Sequence, residues 1–174
     1  VIQDMVNRGD LDSLKKYLEE YEQQFPESRD TLYCGNLAVN AVFSYYADQA
    51  RQARIPITFK IDLTEKLIIS ETDFCVLIGN LLENAVDACR AVSDGGAYVA
   101  VTVKETSDAL FVQVENTCAS VPVRDKDGTF FSTKHEGKGI GLASVQAITE
   151  QYEGAMTVET GSGRFCVAVL LNKS

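Results

Sequence analysis

NLLENAVDAC, residues 80–89, sets two asparagines and two carboxylates into an otherwise apolar segment. At helical spacing Asn80, Glu83, Asn84 and Asp87 fall at i, i+3, i+4 and i+7, so they form one stripe about 100° wide and roughly 10 Å long. A wet helix face is ordinarily built from Glu with Lys or Arg, whereas this stripe holds no cation and uses asparagine, a mediocre helix former. The residues fit a site for a cation or a polar ligand as well as they fit a solvated face.

Working outward, Ser70 to Asp73 offers capping side chains for this helix, and SDGG at 93–96 stops it beyond Val92. Two runs rich in β-branched residues follow, AYVAVTVKE and ALFVQVEN, joined by a TSD turn that predicts a hairpin. Residues 117–138 lack periodicity and carry Pro122, Gly128 and Gly137, the pattern of a long loop. A helix over IGLASVQAITEQY and strands over AMTVET and RFCVAVLL close the chain, with Gly161-Ser162-Gly163 between them. Upstream, residues 31–53 predict an amphipathic helix with Leu37, Ala41 and Tyr45 on one side, and Pro56 opens a strand, ITFKID. Residues 1–25 read as the tail of one helix, a turn at Arg8-Gly9-Asp10 and a second helix that Pro26 ends. Blocks of helices and antiparallel strands predict a two-layer α/β sandwich with the helices on one sheet face.

The 174 residues suffice for one well-buried core plus a small appendage. A net charge of -9 argues against a nucleic-acid or acidic-membrane surface. Five cysteines without a CxxC pair, and a single histidine, His135, suggest neither a disulfide framework nor a zinc site. The longest apolar run, FCVAVLL at 165–171, is far short of a bilayer span.

A second feature is EGKGIGL, residues 136–142, with glycines at 137, 139 and 141 directly ahead of a helix. Glycines there let backbone approach a ligand, and the exposed N–H groups of a helix start attract phosphate. The triplet follows a loop and not a strand, which excludes a dinucleotide-binding fingerprint.

Asparagine-rich helix, strand pair, loop and glycine-rich helix start, in this order over residues 55–172, resemble the GHKL ATP-binding fold of histidine kinases, gyrase-type topoisomerases, mismatch-repair ATPases and heat-shock chaperones. NLLENAVDAC is similar to the family's asparagine box, ENTCAS to an altered first glycine box, FFSTK to its phenylalanine box and HEGKGIGL to its second glycine box. Cys34-Gly35-Asn36, Val39-Asn40-Ala41-Val42, Gly79 to Cys89 and Ser132 to Leu142 further resemble phrases of the accessory-gene-regulator sensor kinases of peptide quorum sensing.

The resemblance implies ATP and Mg²⁺ as cofactors, with Asn84 on the metal and Asn80, Asp87, Asn116, Lys134, Lys138, Gly137, Gly139, Ile140, Gly141 and Leu142 around the nucleotide. Asn80 stands where hydrolysing relatives carry a glutamate base, which favours transfer to a protein over hydrolysis; Glu83 is either a base or a supporting partner. Lys134 is the candidate cation for charge developing on the transferred phosphoryl group. Asn116 replaces the aspartate that accepts the adenine amine, with Cys118 and Ser120 in place of glycines; an amide can accept from that amine while donating to a ring nitrogen. Phe130 and Phe131 anchor the loop or pack near the nucleotide, and Gly161 to Gly163 is a last glycine box or simply a hairpin turn.

On this reading residues 1–30 are the C-terminal part of a dimerising helical hairpin and 31–174 the ATP-binding catalytic domain. No histidine occurs in 1–30, so the phosphoacceptor is expected upstream of Val1 and the fragment is expected not to phosphorylate itself. The resemblance also implies a homodimer through the upstream hairpin, a response regulator receiver domain as partner, no nucleic acid, and a cytoplasmic location with membrane contact only through a missing N-terminal sensor region. A serine kinase of the anti-sigma-factor type, or a non-catalytic scaffold of the same fold, are the alternatives.

Overall fold

A computed structural model describes residues 31–93, 95–119 and 140–173. The helical hairpin expected over 1–30 lies outside the described residues.

The first helix, α1, spans Leu37–Gln52 and not 31–53. Its start is set by Asn36, whose extended backbone and side-chain oxygen, accepting from Val39 N at 3.0 Å, make it an N-cap. Leu37 and Tyr45 are its exposed side; the buried positions are Val39, Phe43, Ala47 and Ala50. The strand β1 (Ile57–Asp62) follows, then helix α2 (Glu71–Arg90), strands β2 (Val99–Glu105) and β3 (Ala109–Thr117), helix α3 (Ile140–Gln151) and strands β4 (Ala155–Gly161) and β5 (Arg164–Asn172).

The strands form one mixed sheet in the order β1-β2-β3-β5-β4. The expectation of purely antiparallel strands fails at one edge: β1 and β2 pair in parallel, because the connection between them is a helical crossover through α2, which no tight turn could replace. The other three pairings are antiparallel. The β4–β5 connection carries positive φ at Ser162 and Gly163 (52° and 74°), the signature of a two-residue hairpin turn of mirror-image type.

Strand burial alternates, so one sheet face meets the helices and the other meets solvent. Val99, Val101 and Val103 of β2, Leu110, Val112 and Val114 of β3, and Val167, Val169 and Leu171 of β5 join Phe74, Leu77, Ile78, Leu81 and Leu82 of α2 in a single core. This is the two-layer α/β sandwich expected. Glu105 is buried on the core face and accepts from the backbone N–H of Thr64 and of Ile68, both at 2.8 Å, which fastens the loop leading into α2. Among the described residues no helix is long and apolar enough to cross a membrane.

Candidate functional site

The helix α2 forms because its apolar residues recur at helical spacing and its ends are well terminated. Ser70 caps the start, accepting from Asp73 N, with Glu71 and Asp73 in the first turn and Arg90 in the last, each favourable toward the helix dipole. Burial of Phe74 through Cys89 on one side leaves the polar stripe on the other: Asn80, Asn84 and Asp87 are half-buried and Glu83 is exposed.

The Asn80 amide nitrogen donates to Val76 O at 2.8 Å, one turn back, which engages one of its two N–H groups and leaves its oxygen open to other partners. Asn84 has no hydrogen-bond partner among the described residues. Both face the start of α3. A methyl group placed on Gly141 would stand 3.1 Å from Asn84 Nδ2 and 3.2 Å from Asn80 Oδ1, a tight contact in which the amides would have to give by a few tenths of an ångström, so the Gly141 backbone lies close against both. Asn80 and Asn84 therefore meet Gly141 at the start of α3, more than fifty residues away in the sequence.

The remaining candidates divide. Asp87 pairs with Arg90 at 2.9 Å, and Arg90 in turn donates to Gln49 of α1, so that carboxylate leans on a neighbouring helix. Leu142 packs against the core at the start of α3, and Ile140 opens that helix. Asn116 lies on the core face at the end of β3, opposite Val99 and Phe165, and is 2% exposed. Its amide nitrogen donates to Thr117 O at 2.9 Å, so one of its two N–H donors is already engaged and the oxygen and one N–H remain. Lys134, Lys138, Gly137 and Gly139, with His135, Phe130, Phe131 and Ser120, lie outside the described residues.

One tie was not read from the sequence. The Cys89 thiol, last of the opening motif, points at Tyr98 O (3.2 Å) and Thr117 O (3.4 Å), joining the end of α2 to the strand end that carries Asn116. A hollow of about 550 Å³ opens nearby, lined by Gly96, Tyr98, Thr117 and the β4–β5 turn, but neither Asn80, Asn84 nor Gly141 lines it.

A family profile described as the GHKL domain matches residues 69–172, and the chain belongs to that family. A probable C4-dicarboxylate sensor kinase of Halalkalibacterium halodurans is 34% identical over 96 residues, an alignment that covers 53% of this chain and 18% of that kinase. In fold, the chain is similar to the catalytic domain of histidine kinase ThkA, at 19% identity and a TM-score of 0.61, over 78% of this chain and 92% of that domain. It is likewise similar to full-length ShkA in complex with AMPPNP, at 20% identity and a TM-score of 0.59, over 79% of this chain and 30% of ShkA.

Proposed function

We propose that residues 31–174 are the ATP-binding catalytic domain of a sensor histidine kinase, which transfers the γ-phosphoryl group of Mg-ATP to a histidine upstream of Val1. The observation that carries this reading is the approach of Gly141 to Asn80 and Asn84. The donors suit the cofactor. Mg²⁺ prefers oxygen ligands and keeps water and phosphate around it, so it asks little of the protein. No group of three or more His, Cys, Asp or Glu is gathered for a metal among the described residues, and Asn84 supplies one amide oxygen on the stripe.

Each residue then has a part. Asn84 holds the cation through its oxygen. Asn80 offers its oxygen beside the same turn, its nitrogen being held by Val76 O, and it is no base. Without a carboxylate in that position, water is not activated and the phosphoryl group is kept for a protein acceptor. Asn116 accepts from the adenine amine. The backbone around Gly137, Gly139 and Gly141 cradles phosphate, Ile140 and Leu142 seat that turn, Lys134 and Lys138 offset its charge, Asp87 reaches the nucleotide through water, and Glu83 supports the acceptor side. Bound there, Mg²⁺ would supply charge neutralisation at the phosphate oxygens.

The whole protein extends this reading. Residues 1–30 would complete a dimerising hairpin, a response regulator would receive the phosphoryl group, and a membrane-embedded sensor would leave this part in the cytoplasm. The phrases at Cys34 to Asn36 and Ser132 to Leu142 favour the peptide quorum-sensing subtype. Calorimetry with Mg-ATP tests the core of the proposal. Saturable binding that Asn84→Ala removes and Lys104→Ala leaves alone supports it; no binding by the unaltered chain at millimolar nucleotide overturns it in favour of a scaffold.

A further inference from the structure

The phrase at Cys34 to Asn36 has no place in the site just described, yet its asparagine is one of few buried polar side chains, 9% exposed. Beyond capping α1, Asn36 Nδ2 donates to Glu71 Oε2 at 2.7 Å and to Glu65 O at 3.3 Å. Glu71 is the first residue of α2. The segment before Asn36 is fixed as well: Tyr33 N donates to Asn40 Oδ1 at 2.7 Å, and the Tyr33 ring lies 4.6 Å from that of Phe59.

The opposite flank of the same turn is held from α3. The Tyr152 hydroxyl donates to Asp73 Oδ2 at 2.7 Å and accepts from Ser70 N at 3.0 Å, while Gln151 Nε2 donates to the same Asp73 oxygen at 3.0 Å. Tyr152 directly follows α3, whose other end carries Gly141. These bonds tie the end of α3 to Ser70 and Asp73, alongside the core packing of Val145 and Ile148, and the same helix carries Gly141 against Asn80 and Asn84. First turns of helices fray, because their N–H groups lack intrahelical partners. A first turn that frayed here would loosen the seat on which Tyr152 rests.

We infer that Asn36, acting through Glu71, is a positioning residue for the nucleotide site, fixing the first turn of α2 so that α3 is held in register with the asparagine stripe. The inference rests on the proposed nucleotide site for its functional meaning, though not for its geometry. A physical chain of contacts, Asn36 to Glu71 to the Ser70–Asp73 turn to Tyr152 and so to Gly141, carries the effect.

The full 174-residue chain allows a test that separates this role from helix capping. Asn36→Asp keeps an N-cap acceptor but sets a carboxylate against Glu71. Pairing it with Glu71→Gln restores a donor–acceptor contact with the roles exchanged. In the nucleotide-free chain, hydrogen exchange at the amides of residues 144–148 should speed up by about threefold to tenfold in Asn36→Asp and return toward the original rate in the double variant. Mg-ATP affinity should fall and recover in parallel. Unchanged exchange in Asn36→Asp overturns the inference, as does a single variant that loses thermal stability with no recovery in the pair. Exchange that responds as expected in a chain that binds no Mg-ATP keeps the positioning geometry and overturns the nucleotide reading instead.

Discussion

Ser70, Glu71 and Asp73 begin α2, and Asn80, Asn84 and Asp87 continue it; the two groups are similar in chemistry and opposite in condition. At the start, the Ser70 hydroxyl caps Asp73 N, Glu71 accepts from Asn36, and Asp73 accepts from Tyr152 and Gln151. Further along, Asn80 donates to Val76 O and Asn84 bonds to nothing among the described residues, although both stand beside Gly141 at the start of α3. A buried polar group left without a partner costs about 1–3 kcal/mol, so a fold fills such positions where it can. Asn80 and Asn84 are only half-buried, so spare polar capacity there costs the fold little and is what the proposed nucleotide site would use.

The sharpest break of this contrast comes from Asn84→Ala. Mg-ATP affinity should fall about 100-fold, read by calorimetry, while urea unfolding changes by no more than about 0.5 kcal/mol. At the other end the effect falls on stability instead. Tyr152→Phe removes the hydroxyl from two bonds at once and should cost about 1–2 kcal/mol of stability in the same unfolding measurement. Ser70→Ala, which removes only the cap, should cost about 1 kcal/mol. The smallest effect is one of pH. Burial first, and the bond to Asp73 second, push the Tyr152 phenol above its ordinary value of 10.0. Because the folded value is the higher one, the stabilisation is complete below that ordinary value and is lost as pH rises through the folded value. Stability measured from pH 9 to 11 should decline more steeply in the unaltered chain than in Tyr152→Phe.

The two regions also differ in how far the sequence discloses them. The stripe of Asn80, Asn84 and Asp87 could be read because helical period alone places it on one face. The glycine start of α3 was legible as an anion-seeking feature, and their meeting followed from the resemblance to a known order of boxes. The clamp on the first turn was not legible. Its partners lie 35 and 79 residues away in the chain, at Asn36 and Tyr152, and no local pattern announces such a bond. Two local readings were overridden by tertiary structure. Leu37 and Tyr45 repeat at helical spacing but face outward, since Val39 and Phe43 fill the space over β1. The first strand took the parallel sense that its crossover helix imposes. The engaged nitrogen of Asn116 was likewise beyond the sequence, because an amide's orientation depends on its immediate neighbours.

Five thiols are spread through this fold without a disulfide among them. Cys34 sits beside the cap of α1, Cys75 near the start of α2, Cys89 at its end, Cys118 past β3 and Cys166 in β5. Burial is the first cause that raises the pKa of each one. At neutral pH they are protonated, and all but the half-buried Cys75 are shielded; the nucleophile is the thiolate. At the four buried sulfurs an alkylating reagent must wait for the surrounding structure to part, so the order in which they become labelled is a clock, native to the molecule, that tells which district opens first.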